Sequence, residues 1–337
     1  MSSERLINTL RQSVEEELRL AVDQVVDRDL SDLRGMIHYH MGWEGENVGS
    51  ETTGKRIRPL LVLLVTAAYG SDWNKALPAA VAVELVHNFS LIHDDIQDNS
   101  PLRRGRPTVW KIWGIPQAIN TGDTILTLAH LALFQLEKTA SKEITIKAAR
   151  LLQDTCLKLT EGQHLDIAYQ DRSDLSIEDY WPMVDKKTAA LLSTCTGMGA
   201  LVAGADENRL EGYQRFGHLL GLAYQTLDDL LGIWGETEIT GKSTDSDLFT
   251  GKKSLPILYG LNQRGVFAIR WVQGGIKPDE VPALAKQLEV EGAKAFTQDT
   301  AARLTQQALE ALEKAHPQGE AGDVLTSLTF TLLKRKA

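Results

Sequence analysis

From about Glu4 to Ala203, apolar residues recur every three or four positions with hardly any strict alternation, and this periodicity confines the chain to helices. The segments ALPAAVAVELVHNFSLIHDD, AINTGDTILTLAHLALFQLEK, EITIKAARLLQDTCLKLTEGQHLDIAYQ and YQRFGHLLGLAYQTLDDLLGIWG all carry it. Several run past about 20 residues, well beyond an average globular helix. Helix breakers are scarce, with only 10 prolines in 337 residues. No Pro/Gly/Ser-rich linker divides the sequence, so it reads as one all-α domain over 1–337. A 43% share of hydrophobic residues suffices for a large core. After Gln263 the periodicity weakens, and GGIKPDEVP, KAHPQGEAGD and the basic end KRKA read as turns and a solvated tail.

Several function classes are excluded. The net charge of −9 argues against a broad nucleic-acid footprint, which needs an excess of Lys and Arg. Cys156 and Cys195 have no metal-type spacing and make no disulfide framework, as expected in a reducing cytoplasm. The charged start, MSSERLINTLRQSVEEELRLAVDQVV, reads as an amphipathic helix, not a secretory signal. The longest apolar stretch, PLLVLLVTAAY, stops short of the roughly 18 to 20 residues needed to cross a bilayer, so the chain is expected to be soluble and not membrane-spanning. There is no GxSxG, Walker A, GxGxxG or Cys/His ligand pattern, so acyl hydrolysis, P-loop chemistry, dinucleotide redox and zinc catalysis have no support.

Chemistry concentrates in LIHDDIQDNSPLRRGRPTVW, from Leu91 to Trp110. At about 100° per residue, Asp94 and Asp98 share a helix face with Asp95 beside them. Alone, DDIQD could be a solvated helix end. Acids at a helix C-terminus oppose the macrodipole, however, and a bound cation would compensate them. Magnesium typically bridges one or two carboxylates to substrate phosphates. His87 lies two turns upstream on the same side. Arg103 and Arg104 follow the acids, and TGKRIRP supplies Lys55, Arg56 and Arg58. Each could be plain surface charge; together they suit phosphate oxygens.

A second aspartate pair, Asp228 and Asp229, ends another apolar helix, with Gln225 one turn upstream. A glycine-punctuated loop carrying Lys242, Lys252 and Lys253 follows it. DKKTAALL adds Lys187 and Thr188, and EGQHLDI adds Gln163 and Asp166.

In order and spacing these motifs resemble the trans-isoprenyl diphosphate synthases. GKRIRP is similar to the family's GGKRxRP, ELVHNFSLIHDDIQDNSPLRRGRPT to its first aspartate motif with the RRG tail, and YQTLDDLLGIWGETEITGKSTDSDLFTGKKSLP to its second motif and closing loop. The resemblance covers roughly 54–260. It implies an all-α isoprenoid-synthase helix bundle around a deep apolar cavity, usually in a homodimer. It further implies magnesium, three ions per active site, on Asp94, Asp95 and Asp98 of one motif and on Asp228 and Asp229 of the other. Arg103, Lys187, Lys242 and Lys252 would grip the allylic diphosphate, and Lys55, Arg58, His87 and Arg104 would bind isopentenyl diphosphate. Thr188 and Gln225, with Lys187, would line the reacting centre. No protein nucleophile is needed, in keeping with the missing nucleophile motifs.

Three positions depart from the family pattern. Gly232 stands where many relatives have a third aspartate, Thr53 replaces the first glycine of GGKR, and Trp110 stands where histidine is frequent. Phe89, five residues before Asp94 and followed by the small Ser90, resembles the cavity floor of geranylgeranyl diphosphate synthases. The absence of a two-residue insertion in the first motif counts against the common bacterial farnesyl type. Rival readings on the same scaffold are a farnesyl or longer-chain synthase, a terpene cyclase, which would need no isopentenyl site, and a non-catalytic subunit.

Overall fold

The computed structural model describes residues 3–24, 26–27, 29–45, 49–235 and 246–333. Among them helices dominate, and the sheet consists of two two-residue strands, with Leu102 opposite Pro107 and Arg103 opposite Arg106. The chain forms two compact units. One comprises Met1–Cys156, Thr194–Gln214 and Ala315–Leu325, the other Leu157–Ser193, Arg215–Lys314 and Thr326–Ala337.

In the first unit the amphipathic helix Ser3–Asp23 buries Leu10, Val14, Leu18 and Val22, one residue per turn. The helix Ile57–Ala68 is apolar on all sides and is interior, burying every residue from Pro59 to Thr66. It approaches the backbone of Gly199 closely enough for the Thr66 hydroxyl to donate to the Gly199 carbonyl at 3.0 Å. Trp73–Gln97 is long and apolar enough to cross a membrane by length and composition, which amends the expectation drawn from uninterrupted apolar runs. Most of its apolar window is buried, as in a core helix. Pro78 starts its α-helical part, Leu77–Gln97, where a missing N–H costs nothing.

The second unit has two apolar clusters. One joins Ile233, Leu248, Ile257, Phe267, Leu284 and Leu288. The other joins Tyr169, Leu175, Tyr180, Met183, Leu255 and Leu258.

The weak periodicity after Gln263 conceals further helices: Val266–Trp271, Val281–Val290, Ala293–Lys314 and Gly319–Leu333. Ala293–Lys314 buries Ala293, Thr297, Thr300, Ala301, Leu304, Ala308, Ala311 and Leu312. Its packed stripe is mostly small residues, so hydropathy understates burial. KAHPQGEAGD contains the start of the last helix, at Gly319, and is only partly a turn. The KRKA end lies outside the described residues.

Candidate active site

In the first unit, Leu77–Gln97 carries His87, Phe89, Ser90, Asp94 and Asp95, and Asp98 caps it through an N–H donated to the Asp94 carbonyl at 2.8 Å. Asp94 is half-buried and Asp98 exposed, one turn apart as the spacing required. Asp95 is buried. It takes the Arg103 guanidinium on both carboxylate oxygens, Nε–H donating at 2.9 Å to each. Burial raises the Asp95 pKa, and Arg103 opposes that rise. The structure thus pairs Asp95 with Arg103, whereas the sequence reading set them to separate tasks.

Arg103 sits in the short hairpin, whose central Arg104 and Gly105 both have positive φ, 51° and 74°. A two-residue turn of that type matches the strand twist and favours glycine at its second position. The turn directs Arg104 onto the GKR segment, where Nη1–H donates to the Thr52 carbonyl at 2.7 Å. A Cβ on Gly54, itself at φ 79°, would meet the same guanidinium at 2.7 Å. Gly54 is therefore fixed by Arg104 as well as by its own backbone. Lys55 is exposed and Arg58 half-buried beside it.

Lost hydration, then the charges of Arg58, Arg104 and Arg103, hold the His87 imidazole well below its ordinary pKa. His87 is neutral at pH 7 and can donate one hydrogen bond without adding charge. His40, which sequence reasoning missed, is pushed down to about 3 by the same lost hydration and by Arg103, Arg104 and Arg56. Arg56, grouped by sequence with the phosphate ligands, is turned inward: Nη1–H donates to Glu84 at 2.8 Å and Nε–H to Glu15 at 2.5 Å. The Phe89 ring meets His93 edge-on at 4.7 Å, and the Ser90 hydroxyl donates to the His87 carbonyl at 2.8 Å. Trp110, in place of histidine, donates its indole N–H to the Ser100 carbonyl at 2.9 Å and ties down the turn after the acids. Thr53 donates its hydroxyl to the Gly49 carbonyl at 3.2 Å.

In the second unit the helix Glu207–Trp234 presents Gln225, Asp228 and Asp229. Asp229 is buried and accepts from Tyr180 Oη–H at 2.8 Å, Gln225 Nε2–H at 2.8 Å and Leu255 N–H at 3.0 Å. Burial pushes its pKa up to about 6, against the pull of Lys252. The Gln225 carbonyl in turn accepts from the Thr188 hydroxyl at 2.9 Å, so both ends of that amide are fixed. Lys187 pairs with Asp166. Lys252 is raised above its ordinary value first by Asp247, then by Asp229 against lost hydration. A small cavity is lined by Asp166, Tyr180, Lys187, Thr188, Gln225 and Lys252 among others. Lys242 lies outside the described residues. Tyr180 carries no sequence signal, because a tyrosine in an apolar helix reads as core.

The structure also accounts for Gly232. A Cβ there would meet the Asp247 carboxylate at 2.6 Å. Asp247 is buried beside the second motif, and the glycine makes room for it.

Among the described residues no group of three or more His, Cys, Asp or Glu is arranged to hold a metal by itself. Carboxylate oxygens such as those of Asp94 and Asp98 in the first unit, and of Asp228 in the second, are the hard donors that magnesium takes together with phosphate oxygens.

A family model for polyprenyl synthetase matches residues 47–272. The chain is 36% identical over 324 residues to a (2E,6E)-farnesyl diphosphate synthase of Mycobacterium bovis, covering 93% of this chain and 89% of that one. It is 38% identical over 290 residues to a geranylgeranyl diphosphate synthase of Mycobacterium tuberculosis, covering 84% and 82%. The crystal structure of a polyprenyl synthetase from Streptomyces coelicolor superposes with a TM-score of 0.88 at 35% identity, covering 98% of this chain and 99% of that one.

Proposed function

The chain belongs to the polyprenyl synthetase family, and on that premise we propose that it condenses isopentenyl diphosphate head to tail with an allylic prenyl diphosphate, releasing diphosphate. The observation that carries this reading is the surplus of cationic and neutral-imidazole groups in the first unit. Lost hydration first, then the charges of Arg58, Arg104 and Arg103, hold His87 neutral, and this cluster of cations around a neutral donor suits a dianionic or trianionic ligand. A terpene cyclase, which consumes a single prenyl diphosphate, would have no use for an isopentenyl diphosphate site there.

Arg103, Lys187, Lys242 and Lys252 bind the allylic diphosphate. Lys55, Arg58, His87 and Arg104 bind isopentenyl diphosphate. As the allylic C–O bond breaks, these cations stabilise the charge on the leaving group. Asp94 and Asp98 on one motif and Asp228 on the other would hold magnesium, three ions per site, which would supply Lewis-acid neutralisation of the diphosphate. Asp95 and Asp229 support the site by fixing Arg103 and Gln225. The interlocked Thr188 hydroxyl and Gln225 amide line the reacting centre and hold their dipoles still while the isopentenyl double bond attacks the carbocation. The proton then lost goes to the released diphosphate.

We assign the product as geranylgeranyl diphosphate, on Phe89, Ser90 and the uninterrupted first motif. A farnesyl product is the second reading, favoured by the similarity to the Mycobacterium bovis enzyme. Exposed Ile115, Ile119, Leu131 and Phe134 on the helix Ile115–Phe134 support a homodimer. Cys156 and Cys195 are not joined in a disulfide, which suits the cytoplasm. The domain is taken as single, since the family match runs through segments of both units.

Incubation with labelled isopentenyl diphosphate, each of dimethylallyl, geranyl and farnesyl diphosphate, and magnesium should give a twenty-carbon product. No condensation with any primer would reject the function. A fifteen-carbon end product would reject the length assignment alone. Light scattering should return twice the chain mass.

A further inference from the structure

The helix Ile177–Val184 runs into a π turn, Asp185–Ala189, closed by a hydrogen bond from Ala190 N–H to the Asp185 carbonyl. Such one-turn insertions are rare and occur mostly at functional places. Here each of the first four side chains is held by a different residue. Asp185 pairs with His218 Nε2 at 2.6 Å and Lys186 with Glu161 at 2.5 Å. Lys187 pairs with Asp166, and Thr188 donates to Gln225 at 2.9 Å. Glu161 and Asp166 lie on the helix Lys142–Gln170, and His218 and Gln225 on Glu207–Trp234, so the turn is clamped from two sides.

The backbone is equally constrained. A side chain at Gly162 would run into the backbone of Lys187, and a Cβ at Gly221 would come within 2.5 Å of Ala189 Cα. The inner pair, Lys187 and Thr188, lines the cavity that also holds Gln225 and Lys252, while Asp185 and Lys186 do not line it. The outer pair is half in water, with side chains of Asp185 and His218 exposed by 42% and 38%. Exposed pairs of this kind contribute little to stability. What the outer pair can do is fix phase. If the turn relaxed by one residue into α-helical register, Lys187 and Thr188 would swing by about 100° and leave the cavity.

We infer that His218 is a positioning residue for the reaction: its hydrogen bond to Asp185 holds the π turn in the phase that directs Lys187 and Thr188 into the cavity. This rests on the proposed function, in which Lys187 grips the allylic diphosphate.

The test uses the full chain with magnesium and measures kcat, both KM values and thermal midpoint for His218→Ala, Asp185→Asn and His218→Gln. The first two should lower kcat over allylic KM by about tenfold or more, as small misplacements of positioning groups do. The isopentenyl KM and the midpoint should stay at wild-type values. His218→Gln, which keeps an N–H donor, should recover most of the loss. Wild-type kinetics in both His218→Ala and Asp185→Asn would overturn the inference. So would a lowered midpoint with both KM values raised alike, the signature of a merely structural role. Failure of the wild-type chain to condense any primer would instead strike the proposed function.

Discussion

Replacing Arg56 by Met should unfold the first unit more readily while leaving the ligand groups beside it in place. The Arg56 side chain is fully buried, and the Glu84 side chain is only 4% exposed. Burial alone would lower the arginine's pKa, yet Glu84 and Glu15 together carry it above its ordinary value. Three of its hydrogen bonds end on those two carboxylates and a fourth on the Met41 carbonyl. Removing the cation strands the Glu84 charge, and breaking one side of such a buried pair costs about 3–5 kcal/mol. That is a large part of the roughly 5–15 kcal/mol that holds a domain folded. Arg56 has φ 49°, and methionine there bears the same left-handed strain, so the substitution isolates the charge. The double variant Arg56→Met/Glu84→Gln removes both charges but keeps an acceptor for Asn88, which donates to Glu84 at 3.0 Å. It should recover more than half of the loss. Urea unfolding followed by circular dichroism reads stability, and the isopentenyl KM reads the site, with Arg58→Met as the control for a lost ligand. An unchanged urea midpoint together with an isopentenyl KM raised as far as in Arg58→Met would make Arg56 a phosphate ligand and refute the reasoning.

Gly232→Asp should abolish turnover even though it restores the commoner family pattern, because the new carboxylate must displace the buried Asp247; wild-type kcat in that variant would refute the steric account. Phe89→Ala should lengthen the product by at least one isoprene unit, read by chromatography of the hydrolysed prenols, and an unchanged product would remove Phe89 from the cavity floor. His40 has its folded pKa depressed to about 3, so its contribution to stability is complete above its ordinary value of 6.5. Below that value the unfolded chain takes up a proton that the folded chain refuses, and stability falls by about 1.4 kcal/mol per pH unit. Urea midpoints measured from about pH 7 down to 4 should therefore decline less steeply in His40→Asn than in wild type; parallel slopes would show that His40 is not the group responsible.

Short-range features are legible in the string of residues alone. The three- and four-residue period forced helices, the spacing of Asp94 and Asp98 put them one turn apart, and Gln225 fell one turn before Asp229. The motif order sufficed to point to the family. Local periodicity fixes which face of a helix a residue occupies, but it does not say which charge meets that residue across the fold. Packing between distant segments turned Arg56 inward to Glu84, gave Asp95 to Arg103, and set Tyr180, 49 residues away, on Asp229. It also decided that Gly232 is a space filled by Asp247, and that alanine and threonine suffice as a core stripe from Ala293 onward. For the charged groups the deciding quantity is desolvation. A buried charge must find a partner, and which partner lies within reach is set by packing between segments far apart in the chain.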